Sequence, residues 1–254
     1  ISFFGKIFKD NEDPIIKKIC LDSLETLKYF FYPNYHFGGT IGSRNTQHIY
    51  THGFAVFYYH SETAKNLLNL SHLHLDKKTQ ISPETMSDRY FGYRIPEYLE
   101  TYQEIKDKRI KLSNNRFKKK IPYKGKNFIK FFKKAKIKII NNKDYYALIN
   151  LAKGGLVKYF CKNSNTFFQD SGVSIILSNK KYLTSQNIDK DYSYIFEKDK
   201  LIIEGNLIFA NNEKNFTPLK SILFRSFLLF LYIFPKLSRN LKSWIRSILM
   251  FNSK

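Results

Sequence analysis

The residues best suited to chemistry lie in one stretch, Gly38-Gly39-Thr40-Ile41-Gly42-Ser43-Arg44-Asn45-Thr46-Gln47-His48-Ile49-Tyr50-Thr51-His52-Gly53. Nine of these residues, Arg44 to His52, hold an arginine, an amide, two imidazoles and a phenol. The glycines before them let a backbone approach a ligand closely. Arg44 can grip a carboxylate or sulfate with two parallel hydrogen bonds, and Asn45 can bond the same group. A uronate whose carboxylate is neutralised in this way has a more acidic C5 proton. Tyr50, His48 or His52 can remove that proton, while a second donor protonates the leaving glycosidic oxygen. The chemistry is β-elimination. The expected catalytic residues are Tyr50, His48 and His52, and the expected substrate-binding residues include Arg44 and Asn45. On an ideal helix His48 and His52 share a face while Tyr50 points elsewhere. The plain alternative is a cluster that only fills hydrogen bonds at a domain junction.

A second cluster, Asp88-Arg89-Tyr90-Phe91-Gly92-Tyr93-Arg94, pairs Tyr with Arg as a sugar groove does. Arg89 and Tyr90 are therefore further candidates for substrate binding, and the alternative is a cap on the following helix. No metal or cofactor is expected. His48 and His52 are four apart, but no Glu completes a zinc-protease pattern. His72 and His74 are expected at the surface. Cys20 and Cys161 have no motif spacing and read as core thiols.

The elements that must position these residues change character along the chain. Asp13-Pro14 supplies an N-cap and a first-turn proline for a helix over 14–32, with Ile15, Ile19, Leu24, Leu27 and Phe31 as its inner stripe. Helical patterns follow over 46–60, 62–74 and 93–110. The last of these should bury Tyr98, Leu99, Tyr102 and Ile105. Near residue 112 the pattern changes. Residues 113–127 read as a linker. Short β-rich runs come after it at 136–140, 145–151, 155–160, 173–177, 192–197 and 201–209, separated by turn signals such as Gly154-Gly155 and Glu204-Gly205. Such strands suggest an antiparallel sandwich. Two domains are expected, a helical 1–115 and a basic 116–254.

Charge is just as uneven. The chain of 254 residues carries a net charge of +22. Residues 1–115 hold 15 basic and 13 acidic residues, while 116–254 hold 28 and 8. A field of that size draws polyanions. The run from Arg116 to Lys138 mixes Lys with Phe and Tyr, as single-strand nucleic-acid surfaces do. No nucleic-acid-binding motif accompanies it, and an edge strand guarded by lysines is the preferred reading. Nucleic acid is not the expected partner. Residues 219–234 form an apolar run broken by Lys220 and Arg225, short of a membrane span. With 238–251 it either covers a sheet or lies on a membrane surface. A chain starting at Ile1 with no signal-peptide pattern is expected to be part of a longer protein.

The order of these pieces resembles the heparinase II/III-like proteins. The segment Tyr32-Pro33-Asn34 … Gly38-Gly39-Thr40-Ile41-Gly42-Ser43-Arg44-Asn45-Thr46 … Tyr50 … Gly53-Phe54 is similar to their late toroid helices. Tyr146-Ala147-Leu148 … Lys153-Gly154-Gly155-Leu156-Val157-Lys158 … Gln169-Asp170-Ser171-Gly172 … Thr184-Ser185-Gln186 looks like the start of their β-sandwich. The resemblance implies an α+β multidomain fold: the end of an (α/α) toroid followed by an incomplete antiparallel β-sandwich. It also implies a polysaccharide lyase acting on acidic polysaccharide, in the periplasm or cell envelope. Arg44, Asn45, Tyr50 and the neighbouring histidines are the residues it carries over. The family often draws a histidine from its sandwich, and this chain has none after His74.

Overall fold

A computed structural model describes residues 1–42, 48–79, 88–112, 121–178, 181–186, 192–197, 200–210, 218–232 and 241. The fold is α+β with antiparallel sheets. It divides into two compact units, one of Ile1–Asn150 with Leu156–Asp170 and one of Leu151–Gly155 with Ser171–Lys254. The change of pattern near residue 112 thus marks where helix gives way to strand, while the first five strands belong to the compact unit of the helices.

The first unit opens with α1 (Ser2–Asn11), which sequence periodicity did not reveal. In α2 (Pro14–Leu27) the Asp13 carboxylate accepts from the backbone N–H of Ile15 and Ile16, as its capping role requires. A short 3-10 turn over Lys28–Phe30 follows. Cys20 and Leu24 form the buried face of α2, while Ile15 and Ile19, expected inside, are exposed. The pattern over 46–60 shrinks to a five-residue helix, α3 (His52–Val56), and residues 48–51 are not helical. The remaining helices of this unit are α4 (Glu62–Asp76) and α5 (Asp88–Asp107).

Strands β1 (Phe128–Phe132), β2 (Ile137–Asn141), β3 (Tyr145–Asn150), β4 (Leu156–Cys161) and β5 (Phe167–Asp170) form an antiparallel meander in that order. β1 is an edge strand carrying Lys130. Alternation buries Ile137, Ile139 and Asn141 on β2 and Leu156, Lys158 and Phe160 on β4. This face packs on the chain between α2 and α3. Tyr32 stacks on Phe160 at 5.0 Å, the Tyr146 hydroxyl donates to the Tyr29 carbonyl at 2.6 Å, and the Asn150 amide donates to the Ile41 carbonyl at 2.7 Å.

In the second unit, β6 (Ser174–Ile176), β7 (Tyr182–Thr184) and β10 (Ile208–Ala210) pair in the order β10-β7-β6, and β8 (Ser193–Phe196) pairs with β9 (Leu201–Glu204). Gly154 is required here. Its φ is +59°, and a Cβ would lie 2.4 Å from the Ser185 carbonyl oxygen. In the helix α6 (Pro218–Tyr232) the side chains of Leu219, Ile222, Leu223, Phe227 and Leu229 are exposed. No helix among the described residues is long and apolar enough to cross a membrane. The amphipathic stretch expected over 238–251 lies outside the described residues, apart from Leu241.

Lys158 takes an inward position on β4, its ammonium 5.0 Å from the centroid of the Tyr32 ring. Burial pushes its pKa down to about 8, against about 10.4 in an unfolded chain. Between those values the unfolded chain binds more protons, so stability rises with pH through that window. At neutral pH the buried charge is a cost. Lys158→Met keeps the apolar stem and is expected to raise the unfolding free energy near neutral pH by about 1–2 kcal/mol, net of a cation–π loss of about 1 kcal/mol. Above a pH of about 10 that gain should vanish. Urea midpoints of both proteins at the two pH values check it.

Candidate functional site

The site forms where the loop 48–51 and α3 meet α5. A five-residue helix cannot satisfy its own termini, and α1, α5 and the residue that follows α5 supply the missing partners. At the N-terminal end, the His52 N–H donates to Glu97 Oε1 at 2.7 Å and the Gly53 N–H donates to Ser2 Oγ at 3.0 Å. Ser2 Oγ in turn donates to Glu97 Oε1 at 3.1 Å. At the C-terminal end, Lys108 Nζ donates to the carbonyls of Ala55 and Val56 at 3.1 and 2.8 Å. The hydroxyls of Thr51 and Thr101 are 3.0 Å apart, and Arg94 Nη2 donates to the Ile49 carbonyl at 2.8 Å.

These demands explain why α5 is inside out. Its buried face is Arg94, Glu97, Thr101 and Glu104, at steps of three and four residues. Leu99 and Tyr102, expected inside, are 61% and 64% exposed. The caps that α3 needs are polar, so the polar side of α5 turns inward.

On the outer part of the site, Tyr50 is 45% exposed. The Arg94 guanidinium lies over its ring at 4.3 Å. His48 meets the same ring edge-on, with centroids 6.0 Å apart. Burial, and then the charge of Arg94, lower the pKa of His48. Its imidazole is therefore neutral at neutral pH and free to accept a proton. Tyr50 and His48 are thus brought together. Arg44 and Asn45 lie outside the described residues. Arg89 and Tyr90 sit in the first turn of α5, with side chains outside the described set.

His52 does not join that pair. Its side chain is 4% exposed and turns into a cluster of carboxylates. Nδ1 is 3.8 Å from Glu100 Oε2, and Nε2 is 3.6 Å from Glu104 Oε1. Lys6 pairs with Glu100 Oε1 at 2.6 Å. Glu104 is held by Lys9 and by Lys108, the latter at 3.0 Å. Burial alone would raise the pKa of Glu104, but the two ammonium groups outweigh it and hold the carboxyl below its usual range. A cleft of about 250 Å³ opens over His52, Glu100 and Glu104, with Lys6, Lys9 and Asp10 at its walls. His52, Glu97 and Glu100 each point one ligand atom into a common space, all three within 4.8 Å of one another.

The residue types of 38–53 do not point to Glu97, Glu100 and Glu104, which come from a helix more than forty residues on. The signal that could have found them is the run Arg94, Glu97, Thr101, Glu104, a polar stripe at helical spacing. His74, expected at the surface, is buried between Phe31 and Tyr35.

Near the other end of α5 a cleft of about 550 Å³ is lined by Tyr58, Tyr59, Asn66, Lys65, Arg109 and Lys111, among others. Glu62 in the same wall pairs with Lys65, and the tyrosines and amides beside Arg109 and Lys111 suit a polar, anionic ligand. No family model, curated protein or solved structure matches this chain.

Proposed function

We propose that this chain belongs to a lyase-like protein that cleaves acidic, uronate-containing polysaccharide by β-elimination. In this reading its helices are the end of an (α/α) toroid and its strands the opening of a β-sandwich. The observation that carries the proposal is the exposed Tyr50, stacked on Arg94 beside a neutral His48. His48 removes the C5 proton as the C4–O bond breaks and the C4–C5 double bond forms. The Tyr50 hydroxyl protonates the leaving oxygen, and Arg44 with Asn45 neutralise the uronate. Arg89 and Tyr90 extend the sugar contacts. His52, buried among carboxylates, supports the loop rather than touching sugar. The cationic cleft of Tyr58, Tyr59 and Arg109 and the excess of positive charge after residue 116 favour a polyanionic chain. The exposed apolar side chains of α6, with its Arg225, support contact with a membrane surface through 219–251.

The test is the ultraviolet absorbance of the unsaturated uronate when the protein meets a panel of uronic-acid polysaccharides. A rise is expected. A flat trace with salt-sensitive binding retained would overturn the enzyme and leave a non-catalytic polysaccharide-binding protein on the same scaffold. Binding to nucleic acid or anionic vesicles with no preference for uronates would instead mark a binder driven by charge alone.

A further inference from the structure

We infer that His52, Glu97 and Glu100 form a site for a divalent first-row metal ion such as zinc. Two buried groups at this place are mismatched. His52 Nδ1 and Glu100 Oε2 are both buried and neither makes a hydrogen bond. They face each other at 3.8 Å, beyond hydrogen-bond length. If Nε2 carries the imidazole proton towards Glu104 Oε1, 3.6 Å away, then Nδ1 offers a lone pair to a carboxylate that offers another. Two buried acceptors in that arrangement need a cation between them.

The geometry suits a metal. At bond lengths of about 2.1 Å, the donors around a tetrahedral ion stand about 3.4 Å apart. The observed 3.8 Å is a few tenths wider. Glu97, whose Oε1 also accepts from His52 N–H and Ser2, brings one carboxylate oxygen within 4.8 Å of the other two donors as the third ligand. Glu104 then stands behind the ring as the outer carboxylate that orients a metal-bound histidine. One imidazole with two carboxylates selects zinc or its neighbours over calcium and magnesium, which take oxygen alone.

Charge decides what must move. Lys9 and Lys108 both pair with Glu104, which occupies that carboxylate and leaves those three groups one positive charge in excess. Glu100 is paired with Lys6, a half-exposed side chain. A divalent ion that displaces Lys6 into solvent leaves an imidazole and two carboxylates around a charge of two, so the direct ligands balance the ion and Lys6 no longer adds to the excess positive charge behind the ring. Lys6 is therefore the resident competitor, and the cleft above His52 is the entry path.

The experiment is zinc binding by the chelator-stripped protein, followed by metal-to-protein ratio and by titration. Cobalt substitution reports coordination through its visible spectrum. One equivalent of zinc is expected. Glu100→Gln should weaken it by at least the ~10- to 100-fold that loss of even an outer partner costs. Lys6→Met should tighten it, which a purely structural Lys6 would not do. His72→Ala removes an exposed imidazole and should leave the ratio at one. The Glu100 side chain is 36% exposed and its amide is nearly isosteric, so the variant is expected to fold, and circular dichroism checks this. No stoichiometric zinc in the parent protein, or equal affinity in Glu100→Gln, overturns the inference and leaves a proton shared between Nδ1 and Oε2. The readout is metal, not elimination, so the result stands apart from that of the lyase assay.

Discussion

Tyr50→Phe is expected to cut the rate of uronate elimination by about 10²- to 10⁴-fold, the usual weight of one positioned proton-transfer group. Binding and folding should barely change. Tyr50 is nearly half exposed, so little core packing depends on it. Phe keeps the ring that stacks on Arg94, and that stacking holds the loop against α5. The contact of Ser2 Oγ with the Tyr50 carbonyl is a backbone contact and survives the exchange. The test therefore separates chemistry from scaffold. Initial rates of absorbance rise report the first, and polysaccharide affinity at fixed low salt reports the second. A variant with unchanged rate would remove Tyr50 from the mechanism. Loss of affinity in step with rate would make it a binding residue instead.

Acid should destabilise the first unit steeply between about pH 6.5 and 3, and His74 is the reason. Burial pushes its pKa down to about 3, and the nearby His36 pushes the same way. An unfolded histidine titrates near pH 6.5. Below that pH the unfolded chain takes up a proton that the folded chain refuses, so stability falls as pH falls. The slope approaches about 1.4 kcal/mol per pH unit, or about 2–3 kcal/mol lost on going from neutral pH to about 4.5. Glu104, held below its usual range, acts in the same direction. The way to isolate His74 is a difference. In His74→Leu, of similar volume beside Phe31 and Tyr35, the other groups still titrate but this proton is gone. The variant will lose some stability at neutral pH, because buried polar partners of the imidazole are left behind. Its free energy should nonetheless fall less on acidification than that of the parent, by about 2 kcal/mol at pH 4.5. Urea unfolding at several pH values decides this, and parallel curves would show that His74 does not set the acid limit.

Helix α2 and strands β2, β3 and β4 were legible in the sequence because each rests on local physics. Asp13-Pro14 is a start signal whatever surrounds it, and the alternation in Ile137–Asn141 and Leu156–Cys161 is a statement about two faces of one strand. The residue types of the loop singled out His48 and Tyr50, whose rings the structure places edge to face. Other features depended on partners far along the chain. Apolar periodicity placed Leu99 and Tyr102 inside α5, yet the helix turned its polar stripe inward. The cause is α3, five residues long, whose unpaired termini needed Glu97 and Lys108 more than the core needed Leu99. In the same way His52 left the face expected for His48, because residues 48–51 are not helical and its ring met three carboxylates from α5. The sequence by itself therefore determined β2, β3, β4 and the start of α2, while β1, β5 and β7 carried too little local signal to stand out. Tertiary structure decided which histidine lies beside the exposed Tyr50 and which is buried among the carboxylates of α5. Such choices are set by where unsatisfied backbone groups and charges find partners, and that is a property of packed elements, not of any window of residues.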